Sequence, residues 1–295
     1  MLSFLPTQLR AFLTVIELGS ARAAADQLHV SPAAISSSLA ALQRAVGVKL
    51  FEKDGRGLRL TEAGESFLRD VRRIVALSVS AVASAQAMAH ELPQPLRIGC
   101  VMSTSEAFLG DLLAQFMTHA PDVPIDLQVV RRIQMWDLIA ERKLDAGIVE
   151  VPPNLATLRP RAIRQNDYVV VAPSGRRFTK AALADALWLL REPEAGTRAA
   201  TEALLCEYGL SPRTCTVGSP AAIIRCIRQG VGVSLLSRDL ITEDLRAGRL
   251  KIVRTPFTPR PRPWYFITAA DRDPSPEVER FLAFALQVRA FTLPE

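Results

Sequence analysis

Residues 23–43 read AAADQLHVSPAAISSSLAALQ, and three consecutive serines, Ser36, Ser37 and Ser38, interrupt an otherwise helical pattern. Serine is a middling helix former, because its hydroxyl competes for backbone hydrogen bonds. Its neighbours say why it is tolerated. Ser31 is placed to cap a helix whose first position is Pro32, and Ile35, Leu39, Leu42 and Val46 fall on one buried stripe. Ala33, Ser36, Ser37 and Ala40 are left on the outward face, and Gly47 closes the helix. Upstream, Ser20 caps a short helix from about Ala21 to His29, with Ala21, Ala24, Ala25 and Leu28 on its stripe. Before that, Leu9, Phe12, Leu13 and Ile16 mark an amphipathic helix from Pro6 to Leu18. Two short helices joined by a tight turn, the second with a small polar outer face, read as a helix-turn-helix. Small residues let the backbone lie deep in a major groove, and hydroxyls can bond phosphates or bases. An ordinary helical hairpin with a solvated serine face has the same pattern.

The next stretch, VKLFEKDGRGLRLTEAG (48–64), favours the first reading. It carries Lys49, Lys53, Arg56 and Arg59 around a Gly-Arg-Gly turn, and its alternation predicts two short strands. A basic hairpin beside a helix-turn-helix is a wing, and Arg56 at the tip can reach a minor groove. Thr61 then caps a long helix to about His90. Phe67, Val71, Ile74, Ser78, Ala81, Ala85 and Met88 form a coiled-coil seam along it. A lone helix of that length needs a partner, so self-association is expected. Pro93 and Pro95 end it.

A chain of 295 residues suggests about two domains. The net charge is +6 and the isoelectric point about 9.5, a mild pointer to a polyanionic partner. Residues 1–60 hold seven Lys and Arg against four Asp and Glu, half of the whole excess. Cys100, Cys206, Cys215 and Cys226 make no C-x-x-C, and three scattered histidines give no zinc spacing. No metal and no cofactor are therefore expected. No apolar run approaches the roughly 20 residues of a membrane helix, and the N-terminal apolar run is too short for a signal peptide. A cytoplasmic protein without membrane contact is the expectation.

From Leu96 onward the period changes. LRIGCV, PIDLQVV and DAGIVEV read as strands, with helices at about 106–119 and 131–142 between them. DYVVVAP, LWLL, CTVG and GVSLLS continue the series, with helices at about 197–208, 220–229 and 276–290. Strands alternating with helices predict a parallel α/β sheet. Chain crossovers near residues 163 and 262 would divide it into two halves with a cleft between them.

These segments together resemble the LysR-type transcriptional regulators over essentially the whole chain. LRAFLTVIELGSARAAADQLHVSPAAIS, GVKLFEKDGRGLRLTEAG, LRIG, LDAGIVE and GVGVSLLSR carry the resemblance. It implies a multidomain chain: an all-α winged helix-turn-helix DNA-binding domain, a long linker helix, then an α/β effector domain of two subdomains like a periplasmic solute-binding protein. The expected boundaries are 1–62, 63–91 and 92–295, the last split into about 92–163 with 263–295, and about 164–262. The partners expected are double-stranded promoter or operator DNA, a second copy in a homodimer or homotetramer, RNA polymerase, and a small anionic metabolite. The DNA-contacting residues are then Ser31, Pro32, Ala33, Ser36, Ser37, Lys53 and Arg56. The family often has Gln-Pro where this chain has Pro32-Ala33, and Arg where it has Ser37. Loss of that arginine shifts specificity toward the wing and DNA shape.

In the effector half the resemblance places ligand contacts at helix starts facing the cleft: Ser103, Thr104, Ser105, Thr197, Arg198 and Ser219, with Glu150 on the opposite wall. Free N–H groups and hydroxyls at helix starts favour an anion, and Arg198 adds a cation suited to carboxylate or phosphate. Each Ser or Thr can equally be a plain N-cap, and Arg198 a surface ion-pair residue. The segment REPEAGTR resembles the subgroup that includes regulators of carbon-fixation and sulfur-assimilation operons. The alternatives are a small-molecule binding protein or an enzyme with no DNA-binding role. No G-x-S-x-G is present and no histidine lies near a nucleophile in a known pattern, so no catalytic residue is expected. A redox sensor built on Cys206 and Cys215 is a further possibility.

Overall fold

The computed structural model describes residues 7–54, 57–90, 94–150, 157–175 and 177–294, without the side chains of residues 53, 54, 57, 80 and 83–90. The chain divides into two compact units, Met1–Leu92 and Pro93–Glu295.

In the first unit, helices α1 (Thr7–Leu18), α2 (Ala21–Leu28) and α3 (Pro32–Val46) precede a hairpin of β1 (Phe51–Asp54) and β2 (Gly57–Leu60), and α4 (Glu62–His90) follows. Ala24 and Ala25 of α2 are fully buried, so methyl-sized side chains let the helices approach closely. Phe12 of α1 packs 5.3 Å from both Phe51 and Phe67, joining three elements through one ring. The hydroxyls of Ser20 and Ser31 cap α2 and α3. His29 adopts a left-handed conformation (φ 55°) to end α2. Ile35, Leu39 and Leu42 are buried, but Val46 is 38% exposed, because α3 extends a turn past its core. Gln43 Oε1 accepts the N–H groups of Leu50 (2.8 Å) and Phe51 (3.2 Å), fastening the hairpin to α3. Gly64 lies so close to the Leu50 carbonyl that a Cβ would fall 2.1 Å from its oxygen.

The seam of α4 divides in two. Val71 is buried, and Phe67, Leu68 and Val75 pack against the same core. Ile74, Leu77 and Val82 stay 43–46% exposed. Ala85 and Met88 lie outside the described side chains.

The second unit contains two sheets. β3 (Leu96–Cys100), β4 (Ile125–Val129), β5 (Ala146–Val149), β6 (Leu158–Arg164) and β13 (Trp264–Ala269) form the first, in the order β4-β3-β5-β13-β6. β7 (Asp167–Pro173), β10 (Ser234–Ser237), β11 (Leu250–Val253) and the short β12 (Arg260–Pro261) form the second. The parallel pair β8 (Trp188–Leu190) and β9 (Thr214–Thr216) extends it through backbone bonds between Leu189 and Val233 (2.8 Å) and between Val233 and Leu187 (2.9 Å). The sheets are mixed, which corrects the expectation of a parallel one. β3, β4 and β5 are parallel, whereas β13 runs antiparallel to both β5 and β6. The reason is the double crossover. β6 leads out of the first lobe and β13 returns to it, so both lie outside the helix-connected series. Asn166 and Arg262 bridge the crossing segments through two hydrogen bonds, and Ser237 Oγ donates to Asn166 Oδ1 at 2.6 Å.

Helices α5 (Met102–Thr104), α6 (Gly110–His119) and α7 (Arg132–Ala140) belong to the first lobe; α8 (Lys180–Asp185), α9 (Gly196–Glu207), α10 (Pro220–Arg228) and α11 (Thr242–Arg246) to the second. α12 (Pro276–Gln287) returns to the first. The helix expected from 106 begins at Met102 and reaches α6 through a π turn, Ser105–Leu109. Phe116, Phe266 and Phe281 fill the first lobe's core, and Tyr168 and Trp188 the second's. Each such ring contributes roughly 2–3 kcal/mol by leaving water.

Candidate effector cleft and recognition face

β3, β4 and β5 of one lobe and β8 of the other all end at one crevice, outside the carboxyl ends of parallel strands, where open α/β sheets place ligands. Its volume is about 500 Å³. One wall is Val101–Ser103, Val129–Arg132 and Glu150; the other is the segment Arg191–Thr197 between β8 and α9.

The walls meet at a polar floor. Ser103, buried, donates its hydroxyl to Glu150 Oε1 at 2.9 Å. Thr197, also buried, lies 3.2 Å from the Tyr168 hydroxyl. Burial, then the charge of Glu150, hold the Tyr168 phenol well above its ordinary pKa, so it stays a donor. A Cβ on Gly196 would sit 2.6 Å from Glu150 Oε2, so a larger residue at the start of α9 would displace that carboxylate. Arg191 is 4% exposed. Its Nε and Nη2 grip Glu192 at 2.8 and 2.7 Å, and Nε also reaches the Gly218 carbonyl. Nη1 makes no hydrogen bond to a described residue. Burial pushes the Glu192 carboxyl upward, but the Arg191 hydrogen bonds outweigh it and hold the group below its usual value. At the mouth, Arg131 bonds Glu194 of the other lobe at 2.7 Å.

Of the candidate effector residues, Ser103, Glu150 and Thr197 are brought together here. Four are not among the lining residues. Arg198 instead bonds Glu202 (2.8 Å), the Arg191 carbonyl (3.1 Å) and Thr216 (3.0 Å). Ser219 caps α10, and the adjacent N–H of Ala221 is taken by Glu106 Oε2 from the first lobe, at 3.1 Å. Thr104 is fully buried with its hydroxyl unpartnered. Ser105 lies beside Cys100, whose thiol burial lifts to about 11. The cations of the lining are Arg191, Arg131 and Arg132, none of them among the sequence candidates, and the carboxylates of Glu150, Glu192 and Glu194 line the same crevice. Arg191 directly follows a strand, and that position was its signal. Cys206 and Cys215 are free thiols.

In the first unit, Pro32, Ala33, Ser36, Ser37 and Ala40 share the exposed face of α3. Ser31 spends its hydroxyl on the Ala34 N–H (3.2 Å), and Ser36 donates to the Pro32 carbonyl (3.1 Å). The Ser37 hydroxyl bonds no described residue. Arg59 ion-pairs with Glu52 across the hairpin. The side chain of Lys53 and all of Arg56 lie outside the described residues.

The family described as "Bacterial regulatory helix-turn-helix protein, lysR family" matches residues 6–65, and "LysR substrate binding domain" matches residues 89–290. The chain belongs to the LysR family. It is 33% identical over 282 residues to the HTH-type transcriptional regulator CbbR of Rhodospirillum rubrum, covering 94% of each chain. The crystal structure of full-length CbnR complexed with its target DNA shares the fold (TM-score 0.64, 24% identity, 95% of this chain and 98% of that one). The regulatory domain of CcmR from Synechocystis PCC6803, in complex with 2-PG, matches with a TM-score of 0.59 and 26% identity, over 66% of this chain and 97% of that one. This LysR-type protein is thus a transcriptional regulator with a DNA-binding and an effector-binding part, and its relatives are regulators, not enzymes. Among the described residues no helix is long and apolar enough to cross a membrane, and no group of His, Cys, Asp or Glu could hold a metal.

Proposed function

We propose that this LysR-type regulator binds promoter DNA through α3 and the hairpin, and that a small anionic metabolite in the cleft switches its activity. The observation that carries the effector reading is Arg191, a buried guanidinium at the wall of a cleft between two lobes, with one nitrogen uncommitted. Arg132 lines the same crevice and forms no ion pair among the described residues, and Ser103 and Thr197 supply hydroxyls. That CcmR binds 2-PG supports a small ligand in a domain of this kind. On the DNA side, Ser37 on the open face of α3 suits a groove contact, flanked by Pro32, Ala33 and Ser36, with Ser31 holding the helix start. Pairing of two copies through α4, into a homodimer or homotetramer, and contact with RNA polymerase complete the proposal.

The test is a thermal-shift screen of the full chain against small carboxylates and phosphate esters. A ligand at about 100 times its Kd stabilises by roughly 2.7 kcal/mol. Gel-shift titrations at fixed salt, with and without the hit, then read the switch. Anions that leave both melting and DNA affinity unchanged, while neutral or cationic compounds act, would reject an anionic effector.

A further inference from the structure

Glu150 is a buried carboxylate with no cation to balance it. It is 7% exposed, follows β5 directly and lines the cleft. Its hydrogen-bond partner is a neutral hydroxyl, Ser103 on Oε1, and the phenol of Tyr168 lies close by. The neighbouring arginines are engaged elsewhere, Arg131 on Glu194 and Arg191 on Glu192. Among the described residues no Lys, Arg or His forms an ion pair with Glu150, and the next six residues, VPPNLA, contain no basic side chain. A charge taken out of water without a partner is costly to hold. Structural carboxylates avoid that cost by pairing, as Asp244 does with Arg228 and Arg249. An unpaired one at a cavity wall is what a ligand's donor would complete. Arg132 lines the same cavity and forms no ion pair among the described residues. The cleft thus offers one carboxylate and one guanidinium without an ion pair among the described residues.

We propose that Glu150 determines specificity in the cleft by accepting a hydrogen bond from a hydroxyl or ammonium that the effector carries beside its anionic group. This rests on the reading of the cleft as the site of an anionic effector. A bare dianion would turn one of its charges toward Glu150 and be repelled. An anion bearing a donor satisfies the acceptor while its negative end lies toward Arg191 and Arg132. Hydroxyl and ammonium are separated by charge: Glu150→Gln keeps an acceptor oxygen for Ser103 and for a ligand hydroxyl, but removes the negative charge an ammonium needs.

The experiment uses the full chain and matched probes at up to about 10 mM: L-aspartate against succinate, and glycerol 3-phosphate against propyl phosphate. Glucose and L-arginine are the neutral and cationic controls. In at least one pair the donor-bearing member should bind about ten- to a hundredfold more tightly than its partner. Glu150→Gln should erase that preference for an ammonium and keep it for a hydroxyl; Glu150→Ala should erase both. Without ligand, Glu150→Gln should melt at or above the wild-type temperature, since it removes an unbalanced charge. A lower melting temperature makes Glu150 a structural acceptor and overturns the proposal. Equal binding within both pairs overturns the donor requirement and leaves the anionic reading standing. Binding of glucose or L-arginine alone overturns the anionic reading instead, and a panel in which nothing binds overturns both.

Discussion

Arg191 and Arg198 lie on one short segment and face different tasks. Arg198, at the third position of α9, reaches along its own helix to Glu202 and across to Thr216. Arg191 stands at the end of β8, where the strand delivers its side chain to the cleft wall. Arg198→Ala should therefore cost about 1 kcal/mol of stability, from lost hydrogen bonds and one half-exposed ion pair. It should leave ligand-induced melting shifts intact, while Arg191→Ala should remove most of them. Thermal melts of both variants, with and without a screened anion, check this, and a lost shift in Arg198→Ala would reverse the assignment. The motif GTR at a helix start was legible in the sequence, but the direction of its arginine was not. That direction depends on Glu202 one turn on and on Thr216 from a separate strand. Glu150, Ser103 and Thr197 each follow a strand or open a helix, a signal visible in the sequence, but Ser219 at the start of α10 shares it and does not line the crevice.

Elements were legible where their signals are local. Ser20 and Ser31 cap α2 and α3 as their sequence positions indicate, and Pro32 takes the first turn of α3. β6 was missed, because Pro160 interrupts its alternation and its sequence is basic; it is tolerated as the edge strand of its sheet. The antiparallel course of β13 was hidden for another reason, since strand direction is set by partners far away in the chain. The fastening of the wing is also non-local, and it has a test. Gln43→Ala strips the acceptor from the N–H groups of Leu50 and Phe51, and Leu50 is fully buried. Leaving such a donor unpaired costs about 1–3 kcal/mol. Operator affinity should fall, because the wing loses its hold on α3. Gln43→Glu, which puts a carboxylate oxygen where the amide oxygen stands, should restore affinity; failure of that rescue would mean the amide has another role. For α4, the exposed residues Ile74, Leu77 and Val82 make a surface suited to a second copy. Leu77→Asp should shift sedimentation toward the monomer without changing helical content. A variant that stays associated would exclude this stretch of the helix as the contact.

At the scale of the whole effector unit, the lobes are joined by the crossing strands and by polar contacts near the crevice. Arg164 of β6 bonds Asp239 of the second lobe at 2.7 Å, Arg131 bonds Glu194, and Glu106 accepts the Ala221 N–H at the start of α10. Glu106 fills the helix start at which an effector anion was expected, so the protein carries its own carboxylate there. Burial lifts the Glu106 carboxyl above its ordinary 4.5, and the Ala221 N–H and the charge of Arg191 offset only part of that lift. The sign follows from linkage. Folding favours the protonated form, so the stability this group contributes is full below pH 4.5 and is lost as pH rises through its folded value. Asp244 behaves in the opposite way. Burial raises its carboxyl, but hydrogen bonds from Arg228 and Arg249 pull it below 3.8, so its pairs remain intact at pH 4.5 and fail only in stronger acid. Glu106→Gln keeps an oxygen for Ala221 and never ionises. It should raise the melting temperature at about pH 7.5, where the wild-type carboxylate bears the full burial penalty. Toward pH 4.5 the wild-type group takes up its proton, and the difference between the two proteins should shrink. Melting curves of both at the two pH values decide the matter. An equal difference at each pH would show that the substitution acts by packing and not through the ionisation of Glu106.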